Sequence, residues 1–440
     1  MYRDVAIVGC GPAGLAAAWA LAGAGARVTL YDRQPQPGGR LRTDVLDGTR
    51  ADVAVQLLGS HYRETFRLAR EAGAGDRLVR APGRDALWRG GRAHTLTYGS
   101  VSSMATSSAL PTALKLRLAA RYLPFLQRHA GTLDVNAPVA AAVAGLDRES
   151  IAEWGRREMG DDFVELLAYP QLAAYYAATP EDTTAAYYHA LARAGLDVAV
   201  YGVRGGMGEL ARALIGALEP SGARFVGGTE VREVRAGPAG VELAWDDGGA
   251  RHDAAVVAVP GPAAAGIVEL AGPARAWFAG VRSLPAVSVA LVVDAPLDVN
   301  FFGLSIPRSE PPGDVLAAVC IQEGKRAGLA GPDNDIVVVY PAPAAIPAIL
   351  AASPDQALAT VLPAVERVVP ALRGRVVRAK VYRFPEGGAA FYPGYLRHLA
   401  AFDPGWLPPR VALAGDYLVA PTVEGAVRSG LNAGRRLLGR

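Results

Sequence analysis

The sequence predicts an α/β protein of two domains, one of them assembled from separated stretches of chain. Three observations carry this expectation. Residues 1–33 alternate strand, glycine loop, helix and strand; the middle third is patterned as helix; and residues 411–438 return to strand and helix.

The N-terminal unit reads as follows. Val5–Val8 is a short apolar run of the kind that forms a buried strand, and Gly9–Gly14 is a loop. Leu15–Gly23 is alanine-rich and helical, with Gly25 past its end, and Arg27–Tyr31 is a second strand. This βαβ unit predicts a Rossmann-like domain. Val5 to Ala26 carries no charge and is long enough to span a bilayer, but its spaced glycines and proline suit a nucleotide loop better.

From 111 to 194 helical patterning dominates, with Leu114, Leu118, Tyr122 and Leu126 on one face and Ile151–Tyr169 as a second amphipathic run. Arg204–Leu218 reads as a glycine turn and helix. Strand runs follow at Arg224–Arg235, Gly240–Trp245 and Ala254–Val259. Further on, Val287–Val293, Ile336–Tyr340 and Val376–Phe384 are strand-like, and Pro354–Val369 is helical. Val411–Gly415 and Val423–Leu438 close the chain as strand and helix. The expected division is 1–85, 205–265 and 405–440 for the nucleotide domain. Residues 86–204 and 266–404 then form a substrate domain with a mixed β-sheet and a helical insertion at about 111–194.

Bulk composition narrows the class. A chain of 440 residues exceeds one ordinary core, and 51% hydrophobic with 20% charged residues excludes disorder. The net charge of +3 is scattered, which leaves no footprint for nucleic acid. Cys10 and Cys320 make no disulfide framework and suit a reducing compartment. No signal peptide is expected, because the apolar strand follows Asp4 directly; the expected location is cytoplasmic. Lysine is rare, confined to Lys115, Lys325 and Lys380. His61, His94, His129, His189, His252 and His398 have no metal-ligand spacing, so no metal is expected.

Gly9-Cys10-Gly11-Pro12-Ala13-Gly14 is a G-x-G-x-x-G loop between strand and helix. The first glycine permits the turn, the second lets a pyrophosphate approach, and the third lets the helix pack on the strand. Asp32 ends the second strand, where a carboxylate accepts hydrogen bonds from both ribose hydroxyls, so an unphosphorylated 2′-hydroxyl is expected and NADP disfavoured, with Arg33 beside it the one feature against this. Pro37-Gly38-Gly39-Arg40-Leu41-Arg42-Thr43 follows, with two glycines exposing N–H groups and an arginine to offset phosphate charge. Near the C-terminus stand Ala414-Gly415-Asp416-Tyr417 and Pro421-Thr422-Val423-Glu424-Gly425-Ala426, with Thr422 suited to cap the last helix.

Taken together, these segments resemble the FAD-binding amine oxidase superfamily. That group includes monoamine and amino-acid oxidases, protoporphyrinogen oxidases and phytoene-desaturase-like enzymes. The resemblance implies FAD as cofactor, with Asp416 at the ribityl-phosphate end. It places the backbone of Val423 and Glu424 at the flavin pyrimidine edge, where a helix N-terminus stabilises negative charge. It also implies main-chain contacts of Val231 to the adenine, and Gly205-Gly206-Met207 as the turn and helix opening of the same domain.

The departures from the family pattern matter as much. The lysine that monoamine oxidase types place near flavin N5 corresponds to Ser288; only Lys380, on a late strand, offers an alternative. The cysteine that tethers FAD in those enzymes falls at Gly387–Gly388, so non-covalent FAD is expected. Their paired tyrosines fall near Gly388–Ala389 and Thr422, which offer no aromatic pair. Tyr175-Tyr176 and Phe391-Tyr392 are candidates to line the substrate cavity, with Tyr392 and Lys380 as flavin-facing candidates. Arg204 is a candidate for an anionic macrocycle. Lys115, Arg117, Arg121 and Arg128 beside the helical leucines could form a basic amphipathic helix for peripheral membrane contact.

The implied activity is two-electron dehydrogenation of a small apolar organic substrate, with oxygen or a quinone as acceptor. Porphyrinogen oxidation, amine or amino-acid oxidation, and a non-redox isomerase or mutase remain open, as does the oligomeric state. The purified protein should be yellow, and acid precipitation should release all flavin colour to the supernatant. Colour kept in the pellet would contradict the reading of Gly387–Gly388.

Overall fold

The computed structural model describes residues 2–97, 99–322, 327–329 and 333–439; Lys325 lies outside them. A five-stranded parallel sheet runs in the order 224–227, 27–32, 4–8, 254–257, 411–413. Its strands therefore come from three distant stretches of sequence. The central strand Asp4–Val8 is apolar and buried from Val5 on, as a parallel strand covered on both faces must be.

The helix Pro12–Ala22 packs on this sheet and against the last helix, Val423–Leu437. Small residues allow the approach: a Cβ on Gly430 would stand 2.0 Å from the Ala13 carbonyl oxygen. Arg224–Arg235 does not form one strand. The chain leaves the parallel sheet after Gly227, turns through Gly228 at φ +73°, and re-enters a three-stranded antiparallel sheet at Glu233–Gly237. Thr229 N–H donates to the Asp32 carbonyl, which fixes this turn beside the end of the second strand.

A second sheet of seven strands has the order 376–389, 283–293, 335–341, 316–321, 303–305, 84–89, 92–97. It is antiparallel except for the pair 303–305 with 84–89. Val287, Val289, Leu291, Val319, Val337 and Val339 point to one face, where the helices Ile346–Ala351 and Pro354–Val368 cover them. The period of two puts Ser288, Ala290, Ala318, Cys320, Val338 and Tyr340 on the opposite, inner face. Ser353 and Gln356 form a capping box that starts the longer covering helix.

The helical insertion stands over one end of this sheet. Ile151–Tyr169 is not continuous: Gly160, at φ +86°, ends the helix Ile151–Glu158, and the chain resumes through a π-turn into Tyr169–Tyr176. Leu114, Leu118, Tyr122 and Leu126 are all buried against the rest of the insertion. The apolar face offered as a lipid contact is therefore occupied by protein; Arg117, Arg121 and Arg128 are the solvated side. Among the described residues no helix is long and apolar enough to cross a membrane.

Two buried carboxylates tie distant segments together. Asp147 accepts hydrogen bonds from Thr184 Oγ1 at 2.7 Å and from the backbone N–H of Arg397 at 3.0 Å and of Gly394 at 3.2 Å. It thereby joins the insertion to the helix Tyr395–Ala400. Asp52 Oδ1 accepts from Thr43 Oγ1 at 2.6 Å and from Met207 N–H at 2.8 Å, while Thr43 Oγ1 accepts from Gly208 N–H. These bonds satisfy the opening turn of the helix Gly208–Leu218, whose own cap residue offers no side-chain acceptor.

His189 lies fully buried in the insertion among Trp154, Phe125 and Tyr122, with Tyr122 Oη 3.1 Å from its Nδ1. Burial, and then the nearby His129, push its pKa down from 6.5 to about 3. The unfolded chain takes up this proton near pH 6.5 and the folded chain resists until about pH 3. Stability is thus lost as pH falls through that window, by up to about 1.4 kcal/mol per pH unit. Urea unfolding followed from pH 7 to pH 5 should show this slope in the wild type, and a flatter one in His189→Gln.

Candidate active site

The glycine loop is shaped to receive a phosphate group. Gly9 adopts φ +101°, and a Cβ on Gly14 would fall 1.9 Å from the Gly9 carbonyl oxygen, so the turn closes only with glycine at both places. Gly11 differs: a Cβ there would meet nothing within 4 Å, so the loop borders open space on that side. Pro12 occupies the first turn of the helix, Gly11 caps it without a side-chain bond, and no acidic residue sits in that turn. Its N–H groups and dipole are therefore available to an anion, with Ala13 in the same turn.

Asp32 Oδ2 accepts the Cys10 N–H at 2.7 Å and Oδ1 accepts the Gln34 N–H at 2.8 Å. The carboxylate thus locks the loop, and each oxygen keeps a lone pair for a ribose hydroxyl. Arg33 is exposed and 3.9 Å from Glu230. Val231 is buried in the turn that Thr229 anchors to Asp32.

The second glycine segment folds onto the first. Gly38 N–H donates to the Cys10 carbonyl at 2.8 Å, and a Cβ on Gly39 would approach the Gly11 Cα at 3.3 Å. Leu41 is buried beneath. Arg40 then reaches across to the C-terminal segment: its Nη1 lies 3.0 Å from Asp416 Oδ2 and donates to the Gly387 carbonyl at 2.5 Å. Gly415 N–H donates to Ser429 Oγ, and Thr422 Oγ1 caps the last helix by accepting the Gly425 N–H at 2.9 Å. Val423 begins that helix. A dinucleotide laid from Asp32 over Gly11 toward Thr422 meets N–H groups, an arginine and a helix N-terminus in turn, so the residues present fit FAD.

The Glu424 backbone lies in the first turn of the last helix, while its buried carboxylate accepts from Glu64 N–H, Thr65 N–H and Thr65 Oγ1 at 2.8–3.0 Å and so caps the helix Arg63–Glu71. Four expectations change. Lys380 is half-exposed and paired with Asp44 at 2.7 Å. Burial opposes the Asp44 charge, but Lys380 and Arg42 more than offset it and hold its pKa below the usual range. Tyr392 donates to the Gly280 carbonyl at 2.7 Å and packs under Arg282, whereas its neighbour Phe391 turns inward onto Tyr187. Strand-like alternation gives the two rings opposite directions. Arg204 is exposed, its backbone bonded to the Arg77 carbonyl. Finally, although 388–389 offers no aromatic, Tyr62 reaches Thr422 from another element.

Tyr62 stands close to the Thr422 hydroxyl. Burial, Tyr176 and Glu424 raise its pKa well above 10, and Thr422 opposes this. Tyr176 meets Tyr187 edge to face at 5.9 Å, and burial pushes Tyr176 up to about 12. Tyr340 donates to the Ala54 carbonyl at 2.6 Å and accepts from Gln56 Nε2 at 2.7 Å. Tyr175 keeps 47% of its surface accessible, yet enclosure by protein raises its hydroxyl pKa well above 10. Tyr62, Tyr176 and Tyr187 lie near one another, and Tyr175 and Tyr340 both lie near Cys320 on the inner sheet face. Tyr62, Tyr187 and Tyr340 carry no motif signal; they lie in separate elements that only the fold assembles.

Ser288, on the inner face, is buried and donates to the Val53 carbonyl. Gly387–Gly388 carry no side chain on the strand facing Arg40.

A Rossmann-like domain carrying this trough, with a cluster of tyrosines against its far end, defines a dinucleotide-dependent oxidoreductase. Residues 12–438 match the model of the family described as flavin-containing amine oxidoreductase, and the chain belongs to that family. FAD is its cofactor and it is an FAD-dependent oxidoreductase. The carotenoid phi-ring synthase of Streptomyces griseus is 29% identical over 99% of this chain and 88% of its own length. A probable zeta-carotene desaturase of Synechococcus elongatus is 31% identical over 36% of this chain and 34% of its own. In structure, a putative protoporphyrinogen oxidase from Exiguobacterium sp. 255-15 superposes with TM-score 0.75 at 17% identity, covering 99% of both chains. Putrescine oxidase bound to putrescine gives TM-score 0.75 at 22% identity over the full length of both.

Gly11 and Gly14 separate binding from folding. Gly11→Ala should fold with an unchanged melting temperature but bind FAD at least tenfold more weakly in fluorescence titration. Gly14→Ala, facing the Gly9 carbonyl, should lower the melting temperature as well.

Proposed function

We propose that this chain dehydrogenates an apolar organic substrate, forming a C=C bond, and passes the electrons to oxygen or a quinone. FAD, when bound, supplies the two-electron acceptor, taking hydride at N5. The group of tyrosines beside Thr422 carries the reading: their rings offer apolar faces to a hydrocarbon, and Ser288, tied to Val53, brings no charge nearby.

Gly9, Gly11, Pro12, Ala13, Gly14, Gly38 and Gly39 take the pyrophosphate in this reading, and Asp32 the ribose. Val231 takes the adenine, and the Thr422–Val423 helix end takes the pyrimidine edge. Arg40 and Asp416 hold the ribityl end as a pair. Segments 1–85, 205–265 and 405–440 act as the cofactor domain, with 86–204 and 266–404 as the substrate domain. The carotenoid phi-ring synthase relative, matched over nearly the whole chain, supports chemistry on a carotenoid-like substrate.

Amine oxidation is a second reading, favoured by Tyr62 at Thr422 with Tyr187 beside it, which stand in for the tyrosines absent at 388–389. Arg204, exposed to solvent, gives the porphyrinogen reading no support.

Anaerobic mixing of the FAD-loaded protein with polyene hydrocarbons, alkylamines and porphyrinogens distinguishes these. Bleaching of the flavin by a polyene alone is the expected result, and bleaching by amines alone would replace the proposal with the second reading. Product formed without net use of an acceptor would point to an isomerase.

A further inference from the structure

The two helix N-termini that flank the trough differ in one respect. The first turn of Pro12–Ala22 carries no acid, whereas the first turn of Val423–Leu437 carries Glu424. An acid beside a site for negative charge works against that site, and this one is 1% exposed, so it cannot turn away into water. The N–H groups of Val423 and Glu424 meet no acceptor among the described residues, which leaves the helix end open to a ligand.

Glu424 has no cation beside it. Its partners among the described residues are Glu64 N–H at 3.0 Å on Oε1, and Thr65 N–H at 2.9 Å and Thr65 Oγ1 at 2.8 Å on Oε2. All three are dipoles at the start of the helix Arg63–Glu71, whose cap residue, Tyr62, makes no side-chain bond to it. Such donors soften the field of a carboxylate without cancelling its charge. In a protein interior that field still acts over several ångströms.

Reduction of FAD by two electrons and one proton adds a negative charge, which in the proposed placement lies at the Thr422–Val423 helix end. The helix dipole favours that charge, and the Glu424 carboxylate opposes it.

We infer that Glu424 sets the reduction potential of bound FAD: its carboxylate holds the potential down, and the donors of Glu64 and Thr65 limit how far. Glu424 is a positioning residue, acting through the helix end without touching the reacting atoms. A flavin held at lower potential yields its electrons more readily, so the arrangement favours the step in which the acceptor is reduced. The inference rests on the flavin lying at the Thr422–Val423 helix end, as proposed above.

Reductive titration of the FAD-loaded protein against a dye of known potential tests this without substrate turnover. Glu424→Gln keeps the shape and removes the charge. It should favour reduced flavin by about tenfold, an upward shift of about 30 mV for a two-electron couple. Thr65→Val keeps the charge and removes the hydroxyl that softens it, and should shift the potential downward by a smaller amount. A purely structural tie would move both variants in the same direction or neither. The inference is overturned if Glu424→Gln leaves the potential unchanged or lowers it, or if Thr65→Val fails to lower it. Should Glu424→Gln not fold, Thr65→Val decides alone.

Val423→Pro tests the placement of the flavin separately. Thr422, at φ −135° and ψ 163°, has the extended conformation that suits a residue before proline, and proline is well tolerated at the first helical position. The substitution deletes the Val423 N–H and should lower the potential if the flavin lies there. A potential unmoved by Val423→Pro would remove the placement itself. A potential lowered by Val423→Pro but unmoved by Glu424→Gln would remove the role of Glu424 alone.

Discussion

The cofactor trough depends on the two ends of the chain packing as one unit. The first helix and the last meet where Gly430 faces the Ala13 carbonyl and Gly434 faces Ala20, at separations that no side chain could enter. This contact sets the glycine loop, which ends the first strand, beside Thr422, which begins the last helix. Both helix N-termini can then act on one extended anionic cofactor. Arg40, reaching Asp416 and Gly387, ties the same two ends to the edge of the second sheet. Without that closure the loop would be a phosphate site with nowhere to hold the flavin.

Buried carboxylates do the rest of the positioning. Asp32, Asp52, Asp147 and Glu424 each accept backbone N–H groups from segments far away in sequence or at a helix start. In an enclosed setting a carboxylate bonded to N–H dipoles is strongly favoured over one left unpaired, so each acts as a directional tie between elements. Glu424 illustrates the economy of this arrangement. It stands in the cofactor motif, but its charge serves the start of another helix, and that helix carries Tyr62 at its N-terminal boundary against Thr422.

The tyrosine cluster follows from the same assembly. One sheet face is covered by two helices, and the other packs against Leu46, Ala51 and Val53. The insertion adds the tyrosines of its broken helix. The break at Gly160 and the π-turn after it re-aim Tyr175 and Tyr176, which a continuous helix from Ile151 would have pointed elsewhere.

How much of this was legible in sequence varies with distance along the chain. Gly9–Gly14, Asp32, Gly38–Arg40 and the Thr422 cap were readable because each works through its own backbone and near neighbours. The alternation of strands and helices was readable for the same reason, since periodicity is local. The break in Ile151–Tyr169 and the division of Arg224–Arg235 were not, because a glycine or turn was overridden by apolar spacing. Lys380 and Tyr392 were misassigned through one cause: a motif gives a residue's position but not the direction of its side chain. The joining of Glu424 to Thr65, and of Tyr62 to Thr422, belonged to the tertiary structure alone. Those partners lie on different elements, and only packing, which minimises apolar surface and unpaired polar groups over the whole molecule, decides which of them meet.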